Sequence, residues 1–402
     1  MPAEPRVRVA FIAGEYPKPS ETFLLRELRS LRARRLDFVV VATRRLPDAP
    51  EAAGIDAPVV LRPGYFSWKA LSAEVRFAFT HPLRWLAILF ALYRGHWGHG
   101  HDAFQAMQNV PRALAVGYEL RKLGVRRVHA LWASLPATLG WIIARAFDME
   151  FSFAAHARDV FVEGRMLAEK SRLARAVVTC NRAAETRLNE ILGESLAGKV
   201  RLIHHGIDRS ALPRRTESGD FLLAAGRLEP KKGFDRLVLA CAQLKREGLP
   251  VRAVIAGDGP GREELEQLIA RESAPVELRG WMRHDELMAL LAGAKAVVVP
   301  SVVDASGDRD GIPNIVLEAM AVGVPVVATD AGGIAVVVRD GVTGYLAPAA
   351  TPEALAAKLR EALSDDAHRT GIIERAGALI EEEFSLDRTV SALEDLLRTR
   401  DV

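Results

Sequence analysis

One rhythm runs through this chain almost without a break: a short run rich in β-branched and aromatic residues, then a stretch with helical spacing. Strands separated by helices return parallel to one another, and the helices cover both faces of the sheet, so the strands read as nearly continuous apolar runs. In the first half these runs are RVRVAFIA, LDFVVVAT, RVHALWA, EFSFAAH, AVVTC and KVRLIHH. In the second half they are DFLLAAG, PVRAVIAGD, VELRG, AKAVVVPS, VPVVAT and TGYLAP. The pattern predicts an α/β fold with mainly parallel sheets, and 402 residues exceed what one ordinary core organises.

The polar segment HHGIDRSALPRRTESGD, with Gly206, Pro213 and Gly219, interrupts the rhythm and reads as a linker over residues 206–218. It separates a first doubly wound domain, residues 1–205, from a second, residues 219–384, with a last helix over 385–402. Residues 64–122 are helix-rich without a clear strand, which predicts an insertion on the first domain. In SETFLLRELRSLRA, Ser20 suits an N-cap and Glu21 the first turn of the helix. Two doubly wound halves facing one another place ligands beyond the carboxyl ends of their strands, in a cleft.

Composition narrows the class. Hydrophobic residues make up 49% and charged residues 26%, the balance of a globular protein rather than a disordered one. Cys180 and Cys241 lie far apart with no metal-ligand grouping, which argues against a disulfide framework or zinc site and for a reducing compartment. The opening RVRVAFIAG reads as a first strand rather than a signal peptide. No run is long enough to span a membrane; WLAILFALY, Trp85 to Tyr93, reads either as a buried helix or as an interfacial amphipathic one. Residues 1–200 carry 29 Lys and Arg against 19 Asp and Glu, while the remainder carries 25 against 32. A basic first half suits an anionic membrane surface or a phosphate-bearing acceptor, or is simply solvated surface. Scattered arginines without interleaved aromatics argue against nucleic acid.

Two segments carry chemistry. In GRLEPKKGFDRL a strand ends at Gly226, and Arg227 and Lys232 precede a helix opening near Gly233. Two cations beside a helix N-terminus can clamp a diphosphate. In GDRDGIPNIVLEAMAVGVPVVATDAGG, Pro313 suits the first turn of a helix that Gly323 would end, with Glu318 in its second turn and Asp310 in the loop before it. Paired carboxylates either grip sugar hydroxyls or serve as a catalytic acid and base. The turn AGDGPG fails the dinucleotide template, because Arg262 stands where glycine is required.

Together these motifs resemble the family 4 retaining glycosyltransferases of GT-B fold. GRLEPKKGFDRL, VIAGDGPGREELE, VELRGWMRHDEL, AVVVPS, DGIPNIVLEAMAVGVPVVATDAGG and DGVTGYL occur in that family's order and spacing, densely over about residues 200–365. The first half is similar more loosely, through EYPKPSETFLLREL, VHALWASLPATLGWIIAR, FSFAAHARDVF and HHGID, most like the bacterial exopolysaccharide, colanic-acid-type branch. The resemblance implies two Rossmann-like domains facing across a cleft, and a last helix returning towards the first domain.

It also implies roles. Arg227 and Lys232 would bind the donor diphosphate and Glu318 the ribose hydroxyls. Asp310 stands where the family usually has a glutamate on the donor sugar, one methylene shorter. Backbone amides from Gly311 through Ile312, Pro313 and Asn314 to Ile315 lie where the family approaches sugar and phosphate, although Pro313 itself has no N–H to offer. Arg279 to Met282 lie where the base is cradled. His156 matches the family's histidine near donor sugar and acceptor; as a lone histidine after a strand it also has a structural reading. Asp159, Lys18, Ser20 and Glu21 would face the acceptor, unless Ser20 merely caps its helix. The implied catalytic set is thus His156, Asp310, Arg227 and Lys232.

The activity implied is transfer of a sugar from a nucleotide-diphosphate sugar to a glycan or polyprenyl-diphosphate-linked acceptor, with retention, no metal and no cofactor. It would run in the cytoplasm, with peripheral contact on the inner face of the cell membrane. A nucleotide-sugar epimerase on the same fold and a degenerate sugar-binding scaffold are the alternatives.

Overall fold

The structure, a computed structural model, describes residues 8–18, 21–47, 52–97, 100–216, 219–364 and 366–399. It divides into two compact units, the first running to Cys180 with Ala184–Ile203 and the chain's end from Thr389, the second comprising Asn181–Ala183 and His204–Arg388.

The first unit contains β1 (Arg8–Ile12), β2 (Glu15–Tyr16), β3 (Phe38–Ala42), β4 (Arg44–Arg45), β5 (Val59–Leu61), β6 (Val125–Ala130), β7 (Glu150–Ala154), β8 (Ala176–Thr179) and β9 (Val200–Leu202). Its main sheet has the order β5-β3-β1-β6-β7-β8-β9 with every pair parallel, and β2 and β4 form a small separate pair. Chain order reverses at β1, so the sheet is doubly wound about that strand. All five residues of β3, FVVVA, are buried, as expected where helices cover both faces.

The insertion is four helices, Trp68–Thr80, Pro82–Gly95, Gly100–Gln108 and Val110–Lys122. Val110–Lys122 is buried along much of its length. The first helix starts where the Ser67 hydroxyl accepts from the Ala70 N–H at 3.2 Å. Of the two readings for Trp85 to Tyr93, neither is complete: Ile88 and Leu92 are in the core, whereas Leu86, Phe90 and Tyr93 are exposed.

The last helix, Leu386–Arg398, contributes to the first unit from Thr389 onward. Arg34 donates to Ser391 Oγ at 2.7 Å and pairs with Glu394 at 3.4 Å, and the Arg127 guanidinium donates to the Leu397 carbonyl.

The second unit contains β10 (Leu222–Ala225), β11 (Ala253–Ala256), β12 (Val276–Gly280), β13 (Ala296–Val299), β14 (Val326–Thr329) and β15 (Tyr345–Ala347). The order is β12-β11-β10-β13-β14-β15, again all parallel, with the reversal between β10 and β13. Of the segment expected to be a linker, residues 206–216 are described and belong to this unit. Ile207 bridges to Ser385, the Thr216 N–H reaches the Ala292 carbonyl at 3.1 Å, and Arg215 donates to the Gly323 carbonyl. Pro213 and the glycines mark irregular backbone here, but these contacts fasten part of it against the second unit.

Candidate functional site

The loops after β10 and β13 meet at the point where chain order reverses. After β10 the chain passes Arg227 into a single 3-10 turn, Pro230–Lys232, and then Gly233 opens the helix Phe234–Arg246. Gly233 has φ +59, and a Cβ there would lie 1.9 Å from the Pro300 carbonyl oxygen, so the turn is pressed against the end of β13. The Val302 N–H donates to the Lys231 carbonyl at 2.8 Å, fastening the two loops through backbone.

Side chains fasten them again. Lys231 Nζ donates to Asp308 Oδ2 at 3.0 Å, and Lys232 Nζ donates to both Asp310 oxygens at 2.8 and 3.0 Å. The Ser301 hydroxyl donates to Asp310 Oδ2 at 2.6 Å. Asp310 is buried. Burial alone would raise its pKa, but the Lys232 ammonium, the hydrogen bonds from Lys232 and Ser301 and the charge of Lys231 outweigh that and hold the carboxyl below its usual range.

Of the two cations expected to clamp a diphosphate, Arg227 is largely exposed and pairs with Glu229 at 3.0 Å, while Lys232 pairs with Asp310. Asp310, expected at a sugar, here receives two donors from Lys232 and one from Ser301. The shorter aspartate lies against the lysine loop, where charge pairing compensates its desolvation.

Glu318 lies in the second turn of the helix Asn314–Val322, buried, with His284 Nε2 at 3.8 Å. Pro313, expected in the first turn of this helix, is its N-cap, and Gly323 ends it at φ +88. Gly311, Ile312, Pro313 and Asn314 are half-buried ahead of the buried Ile315. A Cβ at Gly332 (φ +63) would lie 1.9 Å from the Asp310 carbonyl oxygen, so the loop after β14 closes on the same segment. Arg279 is exposed and donates to Glu277 at 3.0 Å, Met282 packs partly into the core, and Trp281 between them stands exposed. A separate cavity of about 580 Å³ adjoins the 3-10 turn, lined by residues including Glu229, Phe234, Leu265 and Asp304. Lys232, Asp310 and Glu318 do not line it, so charged side chains rather than that hollow define the site.

In the first unit the corresponding strand ends carry a second constellation. His156 is the N-cap of the short helix Ala157–Phe161, in a capping box with Asp159. Its Nε2 lies 3.1 Å from the Leu131 carbonyl, which can only accept, so Nε2 carries the proton and Nδ1 faces the Cys180 thiol at 3.8 Å. Asp159 is buried and accepts from the His156 N–H at 3.1 Å and the Ser134 N–H at 3.0 Å. Expected at the acceptor, it instead ties the loops after β6 and β7 together, since backbone donors occupy both its oxygens. Buried Lys170 donates to the Ala133 and Ser134 carbonyls at 2.7 and 3.2 Å, and desolvation pushes its pKa down to about 8 against the attraction of Asp159. Burial beside His156 holds His129 at about 4.

Lys18 and Glu21 pair at 3.0 Å. Ser20 lies outside the described residues. The described helix Thr22–Ala33 has Glu21 itself as N-cap, without a side-chain cap bond, because that carboxylate is turned to Lys18. Sequence reasoning missed Trp132, whose ring centroid lies 4.3 Å from His156, and Phe23, 6.0 Å from it. It also missed Ser301, Lys231 and Asp308; their places after β10 and β13 were the available signal.

Comparison with solved structures defines the class. The chain superposes on HepE of Anabaena, solved in complex with UDP, at a TM-score of 0.70 with 19% identity, covering 97% of this chain and 99% of that one. Against sucrose-phosphate synthase of Thermosynechococcus elongatus the TM-score is 0.73 with 18% identity and 98% of each chain covered. The fold is GT-B, two parallel-sheet α/β units.

Within it, residues 210–378 match the family described as Glycosyl transferases group 1. WcaL of Salmonella typhimurium, provisionally assigned as a colanic acid biosynthesis glycosyltransferase, is 34% identical over 209 residues, 50% of this chain and 51% of its own length. The chain thus spans about half the length of that curated relative in the match.

Proposed function

We propose that this protein is a retaining, family 4 glycosyltransferase of exopolysaccharide synthesis, moving a sugar from a nucleotide-diphosphate sugar to a glycan or lipid-linked acceptor. The observation that carries the reading is the Lys232–Asp310 pair at the joined ends of β10 and β13, followed directly by the helix bearing Glu318. Fold likeness to a protein solved with UDP and sequence likeness to a protein assigned to colanic acid synthesis support it.

The two Asp310 oxygens accept hydrogen bonds from the Lys232 ammonium, which keeps a further N–H to meet a phosphate oxygen. Held there, the ammonium stabilises charge as it grows on the departing diphosphate, and the amides opening Asn314–Val322 add to it. Glu318 receives the ribose hydroxyls, exposed Trp281 offers a face to the base, and Arg227 swings from Glu229 to the diphosphate. His156, with both ring nitrogens engaged, presents its ring edge and backbone to the sugar. The leaving phosphate takes the acceptor's proton, so no metal or cofactor is needed in this reading. The reaction takes place in the cytoplasm, with the acceptor at the membrane face.

A thermal-shift screen of nucleoside diphosphates and their sugars tests this, because a ligand binding only the folded state raises its stability by mass action. Stabilisation by one nucleotide sugar, lost in Glu318→Ala, is expected, together with slow nucleoside diphosphate release. A second reading, a degenerate sugar-binding scaffold, is favoured by the shorter Asp310 standing where the resembled family usually has a glutamate. Binding without any turnover in the presence of glycan or lipid-linked acceptors would select it. No observation favours an epimerase.

A further inference from the structure

The helices Trp68–Thr80 and Pro82–Gly95 of the first unit each carry two apolar stripes. The inner stripes, Ala70, Ala73 and Phe77 on one and Ile88 and Leu92 on the other, join the unit's core. The outer stripe of the first runs Trp68, Leu71, Val75 and Phe79, at the three- and four-residue spacing of one helix face. The outer stripe of the second runs Leu83, Leu86, Phe90 and Tyr93. All eight are exposed, and Phe66 and Trp97 flank them; Phe66 is 98% exposed, Phe79 85%, Leu83 83%, Trp68 79% and Trp97 70%. Solvent-exposed large apolar side chains occur singly on ordinary surfaces, whereas a contiguous set marks an interaction face.

We propose that this face docks the protein on an anionic lipid bilayer. The order of side chains along the path fits lipid. Phe79 and Leu83 flank the turn at His81, where the helix axes change direction by 116°, while Trp68 stands at the outer end of one arm and Tyr93 and Trp97 at the end of the other. Phe79 and Leu83 sit at the apex, and Trp68, Tyr93 and Trp97 offer amphiphilic rings at the arm ends, where Phe66 adds a further apolar group; Trp and Tyr seat at headgroup level with Phe and Leu below them. The most exposed side chains stand clear of their own unit, a poor template for the packed centre of a protein interface and a good one for insertion among acyl chains. Charge adds to this: residues 64–108 hold Lys69, Arg76, Arg84 and Arg94 against Glu74 and Asp102, with Lys69 paired to Glu119 at 3.2 Å and Arg84 to Asp148 at 2.8 Å. No single helix among the described residues is long and apolar enough to cross a membrane. The two helices together have the length and composition of a span, but they bend by 116° and keep Ala73, Phe77, Ile88 and Leu92 in the unit's core, which fits a face lying in the interface. The inference deepens the lipid-linked-acceptor reading, and rests on it only for why a membrane is visited.

Flotation of the full chain with phosphatidylcholine vesicles, with and without one-third phosphatidylglycerol, tests it. The wild type is expected to float with the anionic vesicles and more weakly with the neutral ones. The Phe79→Ser/Leu83→Ser variant, altered only at exposed positions, is expected to keep its melting temperature and lose about tenfold or more in partitioning. Equal partitioning of both proteins, or no flotation of the wild type, overturns the proposal. Self-association that the same substitutions abolish, without vesicle binding, assigns the face to a second copy and overturns it as well. The assay contains neither donor nor acceptor. Lost flotation with an intact nucleotide thermal shift therefore sinks the docking alone, and the reverse result sinks the transferase reading alone.

Discussion

Lys232 and Asp310, 78 residues apart in sequence, form a two-pronged ion pair that joins the loops after β10 and β13. Neither charge is well solvated, so each depends on the other. Asp310→Asn keeps the shape and removes the charge, and the uncompensated ammonium is expected to cost about 3 kcal/mol. Urea unfolding measures this, and Lys232→Met in the same background should restore part of the loss, because the two effects are coupled. A null effect of both single substitutions would mean the pair is solvent-screened.

The pair also sets an acid limit. The folded-state pKa of Asp310 lies below the ordinary 3.8, so its contribution is complete above that value and is lost as pH falls through the lower folded value. The stability of Asp310→Asn, measured by urea unfolding at a series of pH values, should therefore depend less on pH than that of the wild type below about pH 4.

His129 acts at milder pH. Burial holds it at about 4 against 6.5 in the unfolded chain, and between those values the unfolded state binds the extra proton. Stability should fall as pH drops from 6.5 towards 4, by about 3 kcal/mol at most for this residue. His129→Asn is expected to be less stable at neutral pH and to show a flatter profile in that window.

Lys170 gives a contribution on the alkaline side. Its folded value of about 8 lies below the usual 10.5, so the unfolded chain holds the extra proton between them and stability rises with pH across that window. Lys170→Met should lack this rise. It also leaves the Ala133 and Ser134 carbonyls without their donor, so it should be less stable at pH 7 despite removing a buried charge. Chemical unfolding at pH 7 and pH 10 distinguishes the two effects.

Gly233 tests whether loop contact matters to binding. Alanine there places a Cβ against the Pro300 carbonyl at a positive φ, and relief requires the 3-10 turn to move. A loss of about 2 kcal/mol is expected, together with a weaker thermal shift by nucleoside diphosphates. Destabilisation with an unchanged nucleotide response would separate the turn's packing from the site.

The main strands could be read from sequence because parallel strands covered on both faces must be apolar throughout, and AVVV at β13 is as legible as FVVVA at β3. Val59–Leu61 escaped notice, being three residues ahead of Arg62 and Pro63, and the two-residue pair of β2 and β4 has no period to detect. Arg227, Lys232, Asp310 and Glu318 stand out in the sequence because glycine, proline and charge cluster at strand ends. Their partners were not, since a serine after AVVVP or a lysine beside Lys232 carries no local signal of what it meets.

Sequence by itself determined the alternation of elements, the parallel sheets and the positions after strands where charged side chains collect, because burial and helical or strand period act locally along the chain. Tertiary structure alone decided that Asp310 faces Lys232, that Asp159 accepts from backbone donors, and that helices carrying two apolar stripes keep one of them outside. Those outcomes depend on which loops the strand order brings together and how many faces a helix finds covered. A linear pattern does not contain either.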